Sequence, residues 1–382
     1  MEKLKGILIM LLAAALGFGA TFTFGYFIGF SSAEDRGFFE NTNIVLIIIT
    51  SFFGILVSIN LQTFIHELGH LVFGLLTGYK FSIFRVGSYA LKRNHITNKF
   101  EIKKQKISGT GGQCLMIPPK KVDGEYPVIL YNLGGPIFSL LGGLPLFFID
   151  NVENPYLNLF LLIFGVVGLA YALVNGIPFK SKMLANDGYN AYILYKSEHA
   201  RESLYRQLVI NHEYMQGKRL VQMPDEWFEI PEGLDMKNHL AAAIPIFKEN
   251  RLFEEMKFNE VRSLINELKT GDYNLVGLYE AMLNIDLATI DLIEKGKQAD
   301  LSILEDKNAK TIMHAMKDHL NIQILNYALA IIKDEDKEKA EKLKENFIKS
   351  IQKSVYPAEL EIGLELMEKV DKSIELQEEP SI

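Results

Sequence analysis

Between Ile44 and Leu76 the chain stays apolar for longer than one bilayer crossing requires, yet His66, Glu67 and His70 stand near the end of that run. A hydrocarbon core about 30 Å thick takes ~20 helical residues to cross. Ionisable side chains at that depth are rare, costly and functional by default. Three of them within five residues constrain this chain more than any other feature. They must turn towards protein or water while the rest of the run faces lipid.

On a helix, positions i and i+4 share a face. His66 and His70 can therefore hold one metal ion from successive turns, with Glu67 beside them to take a proton from water. Histidines four apart on a helix, with Glu after the first, are a zinc-binding spacing. The chain has a single cysteine, Cys114. An intramolecular disulfide and a Cys-rich zinc site are both excluded, so any metal must rest on His and carboxylates. The remaining histidines have no partner at ligand spacing.

Three more apolar stretches accompany the first, at 6–30, 127–149 and 156–179. Lys3 and Lys5 precede the stretch at 6–30, as in a cleaved signal peptide. A signal core is only ~7–15 residues long, so a retained helix is the stronger reading. The loops at 31–43 and 150–155 are acidic, whereas 80–121 carries ten Lys and Arg, and Lys180 and Lys182 follow the last stretch. The positive-inside rule then places both termini and the basic loop in the cytoplasm, in a protein of the bacterial plasma membrane. The formal net charge of -7 argues against general nucleic-acid binding.

Within the basic loop, residues 81–107 alternate apolar and polar side chains, as strands do. A glycine-rich stretch then runs through Gly109, Gly111 and Gly112 to Pro118 and Pro119. A small β-element near the membrane face is expected. A disordered basic loop on anionic lipid is the alternative.

Two histidines do not complete a catalytic zinc site, which needs a third protein ligand and an open position. The first carboxylate after the stretch at 156–179 is Asp187. It follows Asn175-Gly176-Ile177-Pro178, where Gly and Pro would end or kink a helix. A broken helix at that depth lines a cavity or lies within protein, so the chain can return Asp187 towards His66 and His70. Asn186-Asp187 also reads as the cap of a following helix, and the two roles are compatible.

His66-Glu67-Leu68-Gly69-His70, then Asn175-x-x-Pro178, then Asn186-Asp187-Gly188, together resemble the site-2 protease family of intramembrane metalloproteases. The resemblance covers residues 44–190. It implies that Asp187 is the third Zn2+ ligand and Glu67 the general base. It also implies that Asn175 lies near the substrate and that the stretch holding Gly111 and Gly112 presents an extended substrate, by strand addition. The link from Pro178 to Asp187 is longer than in many members, and no stretch reads as the PDZ-like domain that many bacterial members insert.

Residues from 188 onward are rich in helical patterning. Breaks fall at Met223-Pro224 and at 230–233, with candidate helices at 189–216, 235–249, 251–269, 273–294, 298–304, 308–332, 336–353 and 357–376. Paired helices of this length suit an α-solenoid or an irregular bundle. The expected organisation is mainly α: an N-terminal transmembrane helix and outer loop (1–43), a membrane metalloprotease core (44–190) carrying a β-rich loop (80–124), a cytoplasmic helical domain (191–376) and a disordered tail (377–382). The core would hold about four transmembrane helices. The expected activity is zinc-dependent cleavage of membrane-embedded proteins or peptides, with the helical domain free to take a cytoplasmic protein partner. A membrane scaffold without activity is the alternative, against which Glu67 argues, since a scaffold needs no buried base. A transporter would need polar residues on several spans.

Overall fold

The computed structural model describes residues 43–94, 97–104, 110–180, 185–235, 238–271, 275 and 277–378. The expected first span, the loop after it as far as residue 42, and the tail from residue 379 lie outside the described residues. The fold is mainly helical with one small sheet, and it divides into two compact units. One unit takes in residues up to Gly78 together with Gly111–Cys114 and Pro127–Tyr192. The other takes in Tyr79–Thr110, Leu115–Tyr126 and Ile193–Ile382.

The first unit is built on three mutually packed helices: α1 (Ile44–Leu76), α2 (Ile129–Leu141) and α3 (Pro155–Gly176). Two of them start on Asn caps. Asn43 Oδ1 accepts from Val45 N, and Asn154 Oδ1 accepts from Tyr156 N and Leu157 N ahead of Pro155. Val45–Leu76, Ile129–Phe148 and Pro155–Gly176 are long and apolar enough to cross a membrane. Their polarity is inside out. Phe52 and Phe53 are 60% and 58% exposed, whereas Ser58 and Gln62 on the same helix are fully buried. That is the pattern of a helix solvated by lipid on one side.

The expected stretch at 127–149 is not one α-helix. It stops at Leu141, turns through Gly142 and Gly143, and continues as a 3-10 helix over Leu144–Asn151. Pro145 cannot donate to Leu141, so the α-helical ladder ends there. The glycines have a packing role as well. A Cβ on Gly142 would lie 2.3 Å from Gln62 Oε1, and Gln62 Nε2 donates to Gly142 O and Phe164 O. One buried amide thus ties α1 to both neighbours.

β1 (Lys80–Val86), β2 (Tyr89–Arg93), β3 (Phe100–Lys104) and β4 (Gly112–Ile117) form a sheet in the order β3-β2-β1-β4. β1 and β2 are antiparallel, with Val86 opposite Tyr89. The two-residue loop between them uses Gly87 at φ 59, where glycine is unstrained. β3 follows antiparallel to β2, with Ile102 opposite Leu91. The expected loop 80–124 is thus a sheet. It groups mainly with the helical unit and not with the membrane core, because its buried polar groups are satisfied there. Ser82 Oγ meets His212 Nδ1 at 2.9 Å, and Lys92 Nζ donates to the carbonyls of Met215 and Val355. Only the stretch Gly111–Cys114 counts with the spans.

The helical remainder comprises α4 (Asp187–Lys196), α5 (Glu198–Met215), α6 (Ala243–Glu254), α7 (Phe258–Thr270), α8 (Gly277–Lys295), α9 (Lys307–Ala315), α10 (Leu320–Ala328, extended by a π-turn to Lys333), α11 (Lys337–Ile351) and α12 (Glu359–Glu378). Several expected helices divide or shrink. The stretch at 189–216 breaks at Ser197, whose hydroxyl accepts from Ala200 N and starts α5. The stretch at 235–249 becomes helical only at Ala243. The stretch at 298–304 holds only short 3-10 turns, and 308–332 splits at 316–319. Gln377 and Glu378, expected in the tail, still belong to α12. α8 packs on α7, α9, α10 and α12, with Ile285, Ile290 and Leu292 fully buried. Its contacts reach well beyond sequence neighbours, unlike those of a stacked repeat.

Candidate metal centre

The centre lies wholly within the first unit. α1 presents His66 and His70 one turn apart, both buried. α4 begins with Asp187. Nε2 of His66 lies 3.0 Å from Asp187 Oδ2, Nε2 of His70 lies 3.5 Å from the same oxygen, and the two Nε2 atoms are 3.3 Å apart. Among the described residues this is the one group of three that could hold a metal ion.

The donor set fits zinc. Bonds of ~2.0–2.1 Å in tetrahedral directions leave ligand atoms about 3.3 Å from each other, and the three separations bracket that value. The hydrogen bonds behind the rings also fit. His70 Nδ1 meets Tyr131 O at 2.8 Å, and a carbonyl only accepts, so Nδ1 carries a proton, and in the neutral ring Nε2 is the lone pair that would take a metal. His66 Nδ1 meets Ser139 Oγ at 3.0 Å, with Ser139 fully buried. Asp187 Oδ2 is buried without an aligned hydrogen bond. One carboxylate oxygen and two ring nitrogens thus converge on a single point.

Glycine makes the convergence possible. A Cβ on Gly135 would lie 2.4 Å from His70 Nε2 and 2.6 Å from His66 Nε2. One on Gly69 would lie 2.1 Å from Gly134 O, so α1 and α2 approach backbone to backbone beside the ligands. Gly134 and Gly135 serve helix packing and also keep the ligand site clear.

Asp187 is carried in by Asn186. The Asn186 side chain accepts from Phe179 N and Tyr189 N and donates to Val174 O and Ile177 O. It caps α4 and clasps the end of α3 at once. The long link after Pro178 is absorbed locally, since Lys180 and Ala185 form a bridge and Asn186 N returns to Phe179 O. Gly188 is needed there, because a Cβ would lie 2.1 Å from Gly176 O. Asp187 is therefore both at a helix start and beside the histidines.

Glu67 is buried on α1. Gly112 runs against it so closely that a Cβ would lie 2.5 Å from Glu67 Oε1, and Gly111 lies against Thr63. Tyr131 Oη donates to Cys114 O at 2.7 Å, holding the same stretch in place. Asn175, expected near the substrate, has its Nδ2 satisfied by Tyr171 O in its own helix. No hydrogen bond joins its side chain to His66, His70 or Asp187 among the described residues. Ser139, Tyr131, Gln62 and Tyr171, whose hydroxyl meets Thr63 Oγ1 at 2.9 Å, were not singled out from sequence. The available signal was a polar residue inside an apolar stretch.

No family model matches the chain, and neither does a curated protein or a solved structure.

Proposed function

We propose that the chain is an intramembrane zinc metalloendopeptidase, of the kind the site-2 protease resemblance implies, acting on membrane-embedded proteins or peptides. The observation that carries this reading is the convergence of His66, His70 and Asp187 beside a buried Glu67, on a helix whose outer face is apolar. A divalent ion held there would polarise the scissile carbonyl and acidify water. Glu67 takes the proton from the attacking water and returns it to the leaving amine. Tyr131 O and Ser139 Oγ hold the two imidazoles with Nε2 turned inward. A transmembrane helix hides its carbonyls in hydrogen bonds, so the substrate must unwind before it is cut. β4 comes last in the strand order, and its Gly112 backbone passes Glu67. An extended substrate added along that edge would bring its carbonyls to the base. The basic segments place both termini and the site end of α1 on the cytoplasmic side, where water is at hand.

The test compares membrane peptides from cells expressing wild type and Glu67→Gln. A full-length membrane protein or peptide should accumulate only in the variant. Matching profiles across growth conditions would sink the peptidase and favour a scaffold.

A further inference from the structure

The helical unit contains a cavity of about 960 Å³, lying entirely within that unit. Small-molecule sites commonly span ~300–1,000 Å³, and this space, partly open to solvent, falls in that range. Its walls are of three kinds. Phe247, Phe253, Leu320, Ile362 and Leu366 supply an apolar lining. Among them stand His319, Glu359 and Tyr214, each half-buried. His319 Nδ1 is buried with no hydrogen-bond partner, and no ion pair reaches Glu359, among the described residues. Burial lowers His319 to about 4 and raises Glu359 to about 8, so both are uncharged near neutral pH.

The third wall carries charge. Lys104, Lys317 and Lys353 line the cavity without a carboxylate partner among the described residues, and all three are exposed. Glu254 also lines it but is committed to Arg219 at 2.7 Å and to Leu220 N. Lys349 is offset by Glu345 at 3.4 Å. Asp318 is the remaining exposed acid on the wall. Three free cations against one free anion leave the rim positive, above a floor that is apolar and hydrogen-bonding but neutral.

We infer that this cavity is a binding site for a small organic anion. The ligand's ring or aliphatic body would sit among Phe253, Leu320 and Ile362 with a polar edge towards His319 and Glu359. Its carboxylate or phosphate would sit at Lys104, Lys317 and Lys353. The inference is independent of the metal centre, which belongs to the other unit.

The experiment titrates 1-naphthyl phosphate into the full-length protein in nanodiscs by calorimetry, with empty nanodiscs as the blank and uncharged 1-naphthol as the comparison. The expected result is saturable binding at one site, with 1-naphthol weaker by roughly tenfold or more. Lys317→Glu with Lys353→Glu, both exposed, should weaken the phosphate by a similar factor with the melting temperature unchanged. Asn250→Trp, which projects bulk from the wall, should abolish it. Absence of saturable binding to wild type would overturn the inference, and so would an affinity unchanged by the paired charge reversal.

Discussion

His66 and His70 are held in different ways. His70 leans on a backbone carbonyl, which survives any change of side chain at Tyr131, whereas His66 leans on the Ser139 hydroxyl. Ser139→Ala should therefore weaken zinc binding by ~10–100-fold, the usual cost of losing a partner behind a metal ligand. Ser139→Thr should restore most of it, and Tyr131→Phe should leave it nearly unchanged. Competition with a chelator measures all three. His66, Glu67 and His70 were legible from spacing, because helical periodicity alone puts them on one turn. Asp187 needed the further argument that a broken span brings the chain back. Ser139, Tyr131 and Gly135 carried no such signal. A hydroxyl behind a ring, a backbone carbonyl and a missing Cβ have no spacing rule to betray them.

At the scale of elements, the junction between α3 and α4 decides whether Asp187 reaches the site. Asn186 alone supplies hydrogen bonds to four backbone groups there. Asn186→Ala should leave the three apolar helices folded but release Asp187, lowering zinc occupancy and speeding amide exchange at Tyr189. Hydrogen exchange on the purified protein checks this, and an unchanged Tyr189 amide would count against the clasp. α1 and α3 were readable because long apolar runs end at Asn caps, a Pro and a Gly. The break after Leu141 was not read, although Pro145, which ends the ladder, stands in the sequence. The burial of Gln62 against Gly142 adds to it, a contact between residues eighty positions apart that no local pattern shows. The helices of the second unit divided for the same kind of reason, since single caps such as Ser197 outweigh a continuous helical pattern.

On the scale of the whole molecule, composition separated an apolar part from a charged helical part, and the sheet groups mainly with the second. Sequence order placed it between two spans, whereas its buried Ser82 and Lys92 find their partners on α5 and beyond α11. The helical unit should also respond to pH by itself. Burial raises Asp286 to about 7, against the Asn321 hydrogen bond, and raises Glu359 to about 8. Above the ordinary carboxylate values and below these raised ones, the folded unit keeps protons that the unfolded chain has released, so stability falls as pH rises. His319, lowered by burial from 6.5 to about 4, acts in the opposite sense, but only between those two values. From pH 6.5 to 8 the carboxyls act alone. Trp227 is the only tryptophan and lies in this unit, so its fluorescence reports the unit's unfolding. The melting temperature should be lower at pH 8 than at 6.5, and Glu359→Gln should narrow the difference.

The centre itself is tested most directly by metal content. Full-length protein loaded with zinc and dialysed against metal-free buffer should keep about one ion per chain, in wild type and Glu67→Gln alike, and Asp187→Ala should lose it. A wild type that retains no zinc, or an Asp187→Ala variant that retains as much as wild type, would contradict the account.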